Sequence, residues 1–405
     1  MRILIILIFL SVTLFSFFLK YLTYSMRNAP LPENVKDVYN ENEYKKNQEY
    51  KMDKLKFSIV SGIIGMITGL FILLFNIHHN LYEFILQYTA NIYFTGLFIM
   101  LVPIIGLIII GLPMGVYDTF VIEEKYGFNK TTVRTFILDT IKSLLIMFVI
   151  VSGLLSLFFF LHSLLDNMVF FVFFFVLMLF GLFMKFISPL MIRIFYKLTP
   201  LEESGLKERI EKFAQETGYK LQGIYMVDAS RRSTKLNAFA SGFGKTKTIG
   251  LFDTLLEKMT DDEIMFILAH EIGHAKKHHI LKSYPLGLLS SAIMLTAAYF
   301  IITMPETSQA FGFYDVNLAF GIFIVSIILS PLMLLLGIPE NAISRKHEYE
   351  ADAFGKQYFG LEPAVSGLKK LYKEDLGNLT PHPFVVMIDH SHPPLTQRIK
   401  ALGGA

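Results

Sequence analysis

The chain has 405 residues, 53% of them hydrophobic and only 18% charged, and its mean hydropathy of +0.50 excludes an ordinary soluble domain. Cysteine is absent, which excludes disulfides, thiol redox chemistry and cysteine-ligated zinc fingers. A formal net charge of +3, with no basic patch interleaved with aromatics, gives no ground for a nucleic-acid partner.

Crossing a hydrocarbon core of about 30 Å takes about 20 helical residues. Seven apolar runs meet that length, near residues 3–24, 57–77, 94–117, 143–161, 168–192, 283–303 and 317–338. The first follows Arg2 and resembles a secretory signal. Its apolar stretch exceeds a typical signal core and no small-x-small cleavage site follows, so it reads as a retained anchor. The loop from Ser25 to Lys56 carries seven Lys or Arg, that from Asp118 to Arg134 three, and the segment from Arg193 to Glu263 twelve. The alternate loops, His78–Tyr93, His162–Asn167 and Met304–Val316, carry none. The positive-inside rule therefore predicts an N-terminus outside the cell and a C-terminal tail in the cytoplasm. Lys142 and Lys185 fall within spans, where they either line a wet interior or snorkel from a helix end.

Two mixed segments, 197–263 and 339–405, are long enough to fold outside the bilayer. The first opens with "LEESGLKERIEKFAQETGYK", acidic in its first turn and with Gly near its end, which predicts a helix. A strand at "GIYMVD" follows, then "LNAFASGFGKTKTIGLF", two short strands about the turn "SGFGKT". In "TDDEIMFILAHEIGHAKKHH", Thr260 and Glu263 have capping-box spacing, so a helix starts here and runs toward the sixth span. No internal repeat or low-complexity segment occurs.

This helix carries the chemistry. His270 and His274 lie four apart, one turn apart on one face, a spacing that brings two imidazoles to one tetrahedral zinc. Glu271 sits where its carboxylate reaches a metal-bound water instead of the metal. Together these residues match H-E-x-x-H on a helix. A catalytic zinc needs a third protein ligand and one open position. A metzincin third histidine is excluded, because Lys277 and Ile280 stand where Gly and His are required. His278 is one further turn along, but three side chains of one helix face rarely converge on one ion. The stretch "NAISRKHEYEADAFG" (341–355) puts Glu348 and Asp352 four apart on a helix. Glu348 as ligand with Asp352 bonded to a ligand histidine would complete the site. On spacing alone, a solvated amphipathic helix accounts for these acids equally well.

The chain resembles the type I CAAX prenyl endopeptidase family of integral membrane zinc proteases over nearly its whole length. The resemblance rests on five blocks in order: "YNENEYKKNQEYKMDKLKFSIV" (39–60), "EEKYGFNKTTVRTFILDTIKS" (123–143), "LNAFASGFGKTKTIGLFDTLL" leading into "HEIGH", "SRKHEYEADAFG" and "SHPPLTQRIKAL". It implies His270 and His274 as zinc ligands, Glu271 as catalytic base, and Glu348, in preference to Glu350 or His278, as third ligand. It places Asp352 behind the ligands and gives His392 the stabilisation of the developing oxyanion. It gives Arg398 an ion pair that fixes the site and Asn237 a part in holding substrate as an added strand. His279 matches the family without an assigned role.

The fold expected is mainly α: seven transmembrane helices, which the resemblance implies surround a chamber, with a cytoplasmic α/β gluzincin-like zinc metallopeptidase domain. Its expected parts are a membrane region with five spans (1–196), hairpin and zinc helix (197–280), the sixth and seventh spans (281–338) and a helical tail completing the site (339–405). The activity implied is zinc-dependent hydrolysis near the C-terminus of prenylated CAAX or other membrane-associated peptides, with one Zn2+ per chain and the lipid bilayer as surroundings. The chain lacks the insertion between the last two spans found in many eukaryotic members, and "ALGGA" carries no retrieval signal. These features point to a prokaryotic member in the inner membrane; a eukaryotic one would sit in the endoplasmic reticulum or nuclear membrane. Two other classes compete. A site-2-type intramembrane protease needs an LDG-like motif within a span, and "LLDN" (164–167) lies in an outer loop. A transporter or scaffold with structural zinc needs four protein ligands and no base.

Overall fold

In the computed structural model, which describes residues 1–241 and 247–404, the turn of the expected hairpin lies outside the described residues, as does the Lys185 side chain. Helix α1 (Arg2–Ser25) packs along α2 (Glu41–Leu74). Asn40 and Glu43 cap α2 reciprocally, each side chain accepting from the other's backbone N–H at 2.9 Å. At 34 residues α2 is about 51 Å long, well beyond a bilayer core of about 30 Å. Its polar first half, "ENEYKKNQEYKMDKLK", thus projects from the apolar region. The short α3 (Ile77–Leu86) leads to α4 (Ile92–Tyr117), which continues as a π-helical turn, Asp118–Glu123. Next come α5 (Val133–Leu165) and α6 (Val169–Phe195). The Lys142 ammonium donates to the Ile194 carbonyl at 2.9 Å, satisfying an orphan acceptor in the last turn of α6.

A four-stranded sheet follows, in the order β1-β2-β4-β3. It comprises β1 (Leu198–Pro200), β2 (Leu221–Val227), β3 (Ala238–Ser241) and β4 (Lys247–Phe252), with α7 (Gly205–Glu216) between β1 and β2. β3 and β4 pair antiparallel, as a hairpin requires. β2 runs parallel to β4, and β1 adds an antiparallel edge. Helices α8 (Asp253–Lys258) and α9 (Asp261–Lys276) follow β4, and Ile210, Phe213, Ile224, Ile249, Leu251, Ile264, Phe266, Leu268 and Ile272 bury one core between sheet and helices. The capping box forms at the start of α9: the Thr260 N–H donates to Glu263 at 2.9 Å, and the Glu263 N–H to the Thr260 hydroxyl at 3.4 Å.

From His279 the chain re-enters apolar surroundings as α10 (His279–Thr303), turns through α11 (Pro305–Gln309) and returns as α12 (Leu318–Ile328) and α13 (Ser330–Phe359). The α12–α13 bend of 54° coincides with Pro331, which cannot donate to the Ile327 carbonyl and crowds it. The tail forms α14 (Leu361–Glu374), α15 (Pro383–Asp389) and α16 (Leu395–Ala401). Among the described residues, five helical stretches are long and apolar enough to cross a membrane: Arg2–Asn28, Glu41–Leu74, Ile92–Glu123, Val133–Met184 and His279–Thr303. The fourth takes in both α5 and part of α6, and α12 with α13 makes a sixth if the bent pair is one span. Large apolar side chains such as Leu7, Phe71, Ile109, Phe171 and Phe183 lie exposed on these helices, as a lipid solvent permits.

Ion pairs tie the sheet to the membrane helices. Glu123 accepts from the Tyr50 hydroxyl at 2.8 Å and pairs with Lys54 at 3.1 Å and Lys235 at 3.0 Å, while Arg232 pairs with Asp139 at 2.8 Å. Lys235 and Arg232 belong to the loop entering β3, so this network ties the approach to the edge strand to α2, the π-helical turn and α5.

Candidate metal centre

His270 and His274 project from α9 toward α13. The two helices approach closely because glycine occupies both sides of the crossing. A Cβ on Gly273 would lie 3.1 Å from the Phe354 ring, and one on Gly355 would lie 2.8 Å from the Phe266 ring. That proximity brings Glu348 of α13 over the histidine pair.

The His270 Nε2 and His274 Nε2 atoms are 3.1 Å apart. Glu348 lies 3.4 Å from the first through Oε2 and 3.3 Å from the second through Oε1. One tetrahedral zinc at about 2.0–2.1 Å from each donor spaces its donors about 3.3 Å apart. The donor chemistry agrees. Glu348 is 4% exposed, and its Oε2 has no hydrogen-bond partner. A buried anion beside two imidazole nitrogens, with the Arg398 Nη2 no nearer than 3.7 Å, suits a cation held between them. Among the described residues, this trio is the one group of histidine and carboxylate side chains able to hold a metal ion, with all its ligand atoms within 4.8 Å of one another.

Asp352, one turn beyond Glu348 and 1% exposed, accepts from His270 Nδ1 at 2.9 Å. That bond fixes the tautomer and leaves the His270 Nε2 lone pair facing the other donors. Asp352 is held by a bidentate Arg398, Nε to Oδ2 at 2.7 Å and Nη2 to Oδ1 at 2.6 Å. Burial works against a charged His270 ring, but Asp352 and Glu348 outweigh it and push the imidazole up to about 9. Ligation would replace the Nε2 proton of that ring with the metal ion, which answers the same pull toward positive charge.

The remaining expected residues border the same cleft, a cavity of about 310 Å³ lined by Leu236, Asn237, Ala238, His270, Glu271, Glu348, Tyr372, Asp375, His392 and Arg398. His392 Nε2 is 3.4 Å from Glu348 Oε1, and its ring is largely exposed. Its loop is held by α13: Arg345 donates to the Val386 and His390 carbonyls at 3.0 and 2.7 Å, and Asn341 to Ile388 at 2.7 Å. Asn237 precedes edge strand β3, and its carbonyl accepts from the Phe252 N–H at 3.1 Å. The two unselected candidates lie elsewhere. His278 is exposed at the break between α9 and α10, and Glu350 pairs with His279 and Lys282.

Asp375 was not singled out from the sequence. It accepts from the Leu236 N–H at 3.3 Å, and burial raises its carboxyl to about 6 against the opposing pull of that bond and Lys235. The acid in "KEDLG" just past a helical pattern is its one sequence signal. His279, 4% exposed, lies against His274, with their Nδ1 atoms 2.9 Å apart.

Residues 20–197 match the family model described as CAAX prenyl protease N-terminal, five membrane helices, and residues 200–405 match that of peptidase family M48. The chain is 31% identical to the CAAX prenyl protease 1 homolog of Mus musculus, over 93% of this chain and 89% of that protein. It is 29% identical to CAAX prenyl protease 1 of Saccharomyces cerevisiae, over 97% and 93%. The fold is similar to the crystal structure of S. mikatae Ste24p, with a TM-score of 0.93 at 28% identity over 99% of this chain and 98% of that one.

Proposed function

The chain belongs to the CAAX prenyl protease 1 family of M48 peptidases, and from that premise we propose how this membrane zinc metalloendopeptidase assembles and uses its site. The observation that carries the proposal is the trio His270, His274 and Glu348 at mutual distances of 3.1–3.4 Å, with Glu271 in the same cleft. His270, His274 and Glu348 hold one zinc per chain. When bound, zinc acts as a Lewis acid that acidifies water and polarises the scissile carbonyl. Glu271 accepts the proton of the attacking water and returns it to the leaving amine. His392 donates to the charge developing on the carbonyl oxygen. Arg398 and Asp352 keep the His270 lone pair aimed inward. β3 receives the peptide as an added strand, with Asn237 at its entrance. A structural zinc would call for four protein donors, whereas the described group holds three with an acid alongside.

The substrate we propose is a membrane-associated peptide cleaved near its C-terminus, with an isoprenoid or comparable hydrocarbon chain. The names of the relatives support this, as does an apolar cavity of about 690 Å³ between α6 and α10 that is bordered by His279 and His347. We further read α5 and α6 as separate spans, giving seven in all. The charge asymmetry supports a cytoplasmic metal centre, with the four expected parts of the chain as the protein's units; the membrane would be the inner membrane of a prokaryotic cell or the endoplasmic reticulum or nuclear membrane of a eukaryotic one. The test is to incubate purified protein with a farnesylated C-terminal peptide and its unmodified twin and to weigh the products. Release of a C-terminal tripeptide from the farnesylated peptide is expected, with slower release from the twin. Equal rates would overturn the lipid preference, and cleavage of neither would overturn the substrate class.

A further inference from the structure

His279 reaches the metal centre only because the helix breaks. Along a continuous α-helix it would stand about 140° around the axis from His274. Instead His278 takes a left-handed conformation (φ +56°), α10 starts afresh, and His279 Nδ1 comes to 2.9 Å from His274 Nδ1. The far nitrogen, His279 Nε2, lies 3.2 Å from Glu350 Oε2, and the ring is stacked on His347 at 4.1 Å and 7°.

The protons on this chain have one assignment compatible with a metal. An ionised carboxylate only accepts, so His279 Nε2 carries its proton and donates to Glu350. The neutral His279 ring then offers a lone pair at Nδ1, and His274 Nδ1–H donates to it. That leaves the His274 Nε2 lone pair facing His270 Nε2 and Glu348. The reverse arrangement would place a His274 Nε2–H among the donors and block ligation.

We propose that His279 and Glu350 are positioning residues that fix the tautomer and aim of His274, as Asp352 and Arg398 do for His270. This rests on the reading of His274 as a ligand. The two supports differ in kind: one is a buried ion pair, the other a neutral imidazole ending on a partly exposed carboxylate.

The test uses purified full-length protein loaded with zinc, following release into a chelator, and the absorption spectrum of the cobalt-substituted protein. His279→Phe keeps a ring against His347 but removes both nitrogens. It should weaken zinc binding about 10–100-fold, the range for loss of a ligand's hydrogen-bond partner, which appears as faster release, and alter the cobalt spectrum. His279→Asn, whose side-chain oxygen accepts from His274 Nδ1–H, should stay close to the wild-type rate. A folded His279→Phe that releases zinc at the wild-type rate overturns the proposal. So does a His279→Asn as fast as His279→Phe, since packing alone would then explain the effect. If His279→Phe fails to fold, Glu350→Ala decides: faster release supports the relay, and an unchanged rate overturns it. His274→Ala separates the two readings. Zinc retained in that variant means His274 is not a ligand. Zinc lost there but held normally in the His279 and Glu350 variants means the ligand is real and the relay is not.

Discussion

Single residues divide between those readable from spacing and those placed by the tertiary fold. His270, Glu271 and His274 follow from the geometry of one helix. Glu348 does not, because on spacing alone it and Asp352 pass for a solvated face, and only the family resemblance separated them. His279 and Asp375 depend on a left-handed break and a loop–strand contact that no local pattern encodes. Arg398→Ala should leave Asp352 as an uncompensated buried charge, at about 3–5 kcal/mol in stability. It should also weaken zinc about 10–100-fold, and equilibrium metal titration beside thermal melting would check both. Asp375 gives a signed pH effect. Its folded pKa, raised to about 6, means the folded state holds the proton more tightly than the unfolded chain. Stability is then fully present below about 3.9 and falls as pH rises toward 6. The shift of about two units caps the loss at about 3 kcal/mol. Asp375→Asn should melt above the wild type at pH 8, with the gap shrinking toward pH 5. A constant gap across that range would contradict the assignment.

At the scale of elements, the sequence signals that survive are caps and alternation. Thr260 with Glu263 starts α9, and the strands flanking "SGFGKT" pair as a hairpin. The three-residue β1 was illegible: "LTP" is too short for alternation to register and ends in proline. The parallel β2–β4 pairing was equally hidden, since it joins segments that no local pattern links. The α9–α13 contact turns on two glycines. Gly355→Ala would drive a methyl to 2.8 Å from the Phe266 ring and 3.3 Å from its carbonyl. We expect about 1–3 kcal/mol of destabilisation from overpacking and weaker zinc binding as Glu348 moves away from the histidines. Gly337→Ala, on the same helix with nothing within 4 Å of the added carbon, should be neutral or slightly stabilising. Equal losses in the two variants would contradict the close-approach argument.

For the whole molecule, hydropathy carried most of the legible content, because a bilayer selects long apolar helices more simply than a water-soluble core selects its elements. The absence of cysteine makes topology testable by single substitutions. Tyr314→Cys, 98% exposed in the native loop after α11, should react with a membrane-impermeant maleimide on intact cells, and Lys212→Cys on α7 only after permeabilisation. The reverse pattern would invert the proposed orientation. The central claim is that one three-donor metal site works through an adjacent carboxylate. Its most direct test measures zinc content and cleavage of a farnesylated peptide on the same preparations of wild type and Glu271→Gln. The account predicts one zinc per chain in both, with cleavage reduced about 10²–10⁴-fold in the variant. A Glu271→Gln that cleaves at the wild-type rate with its zinc in place would contradict it.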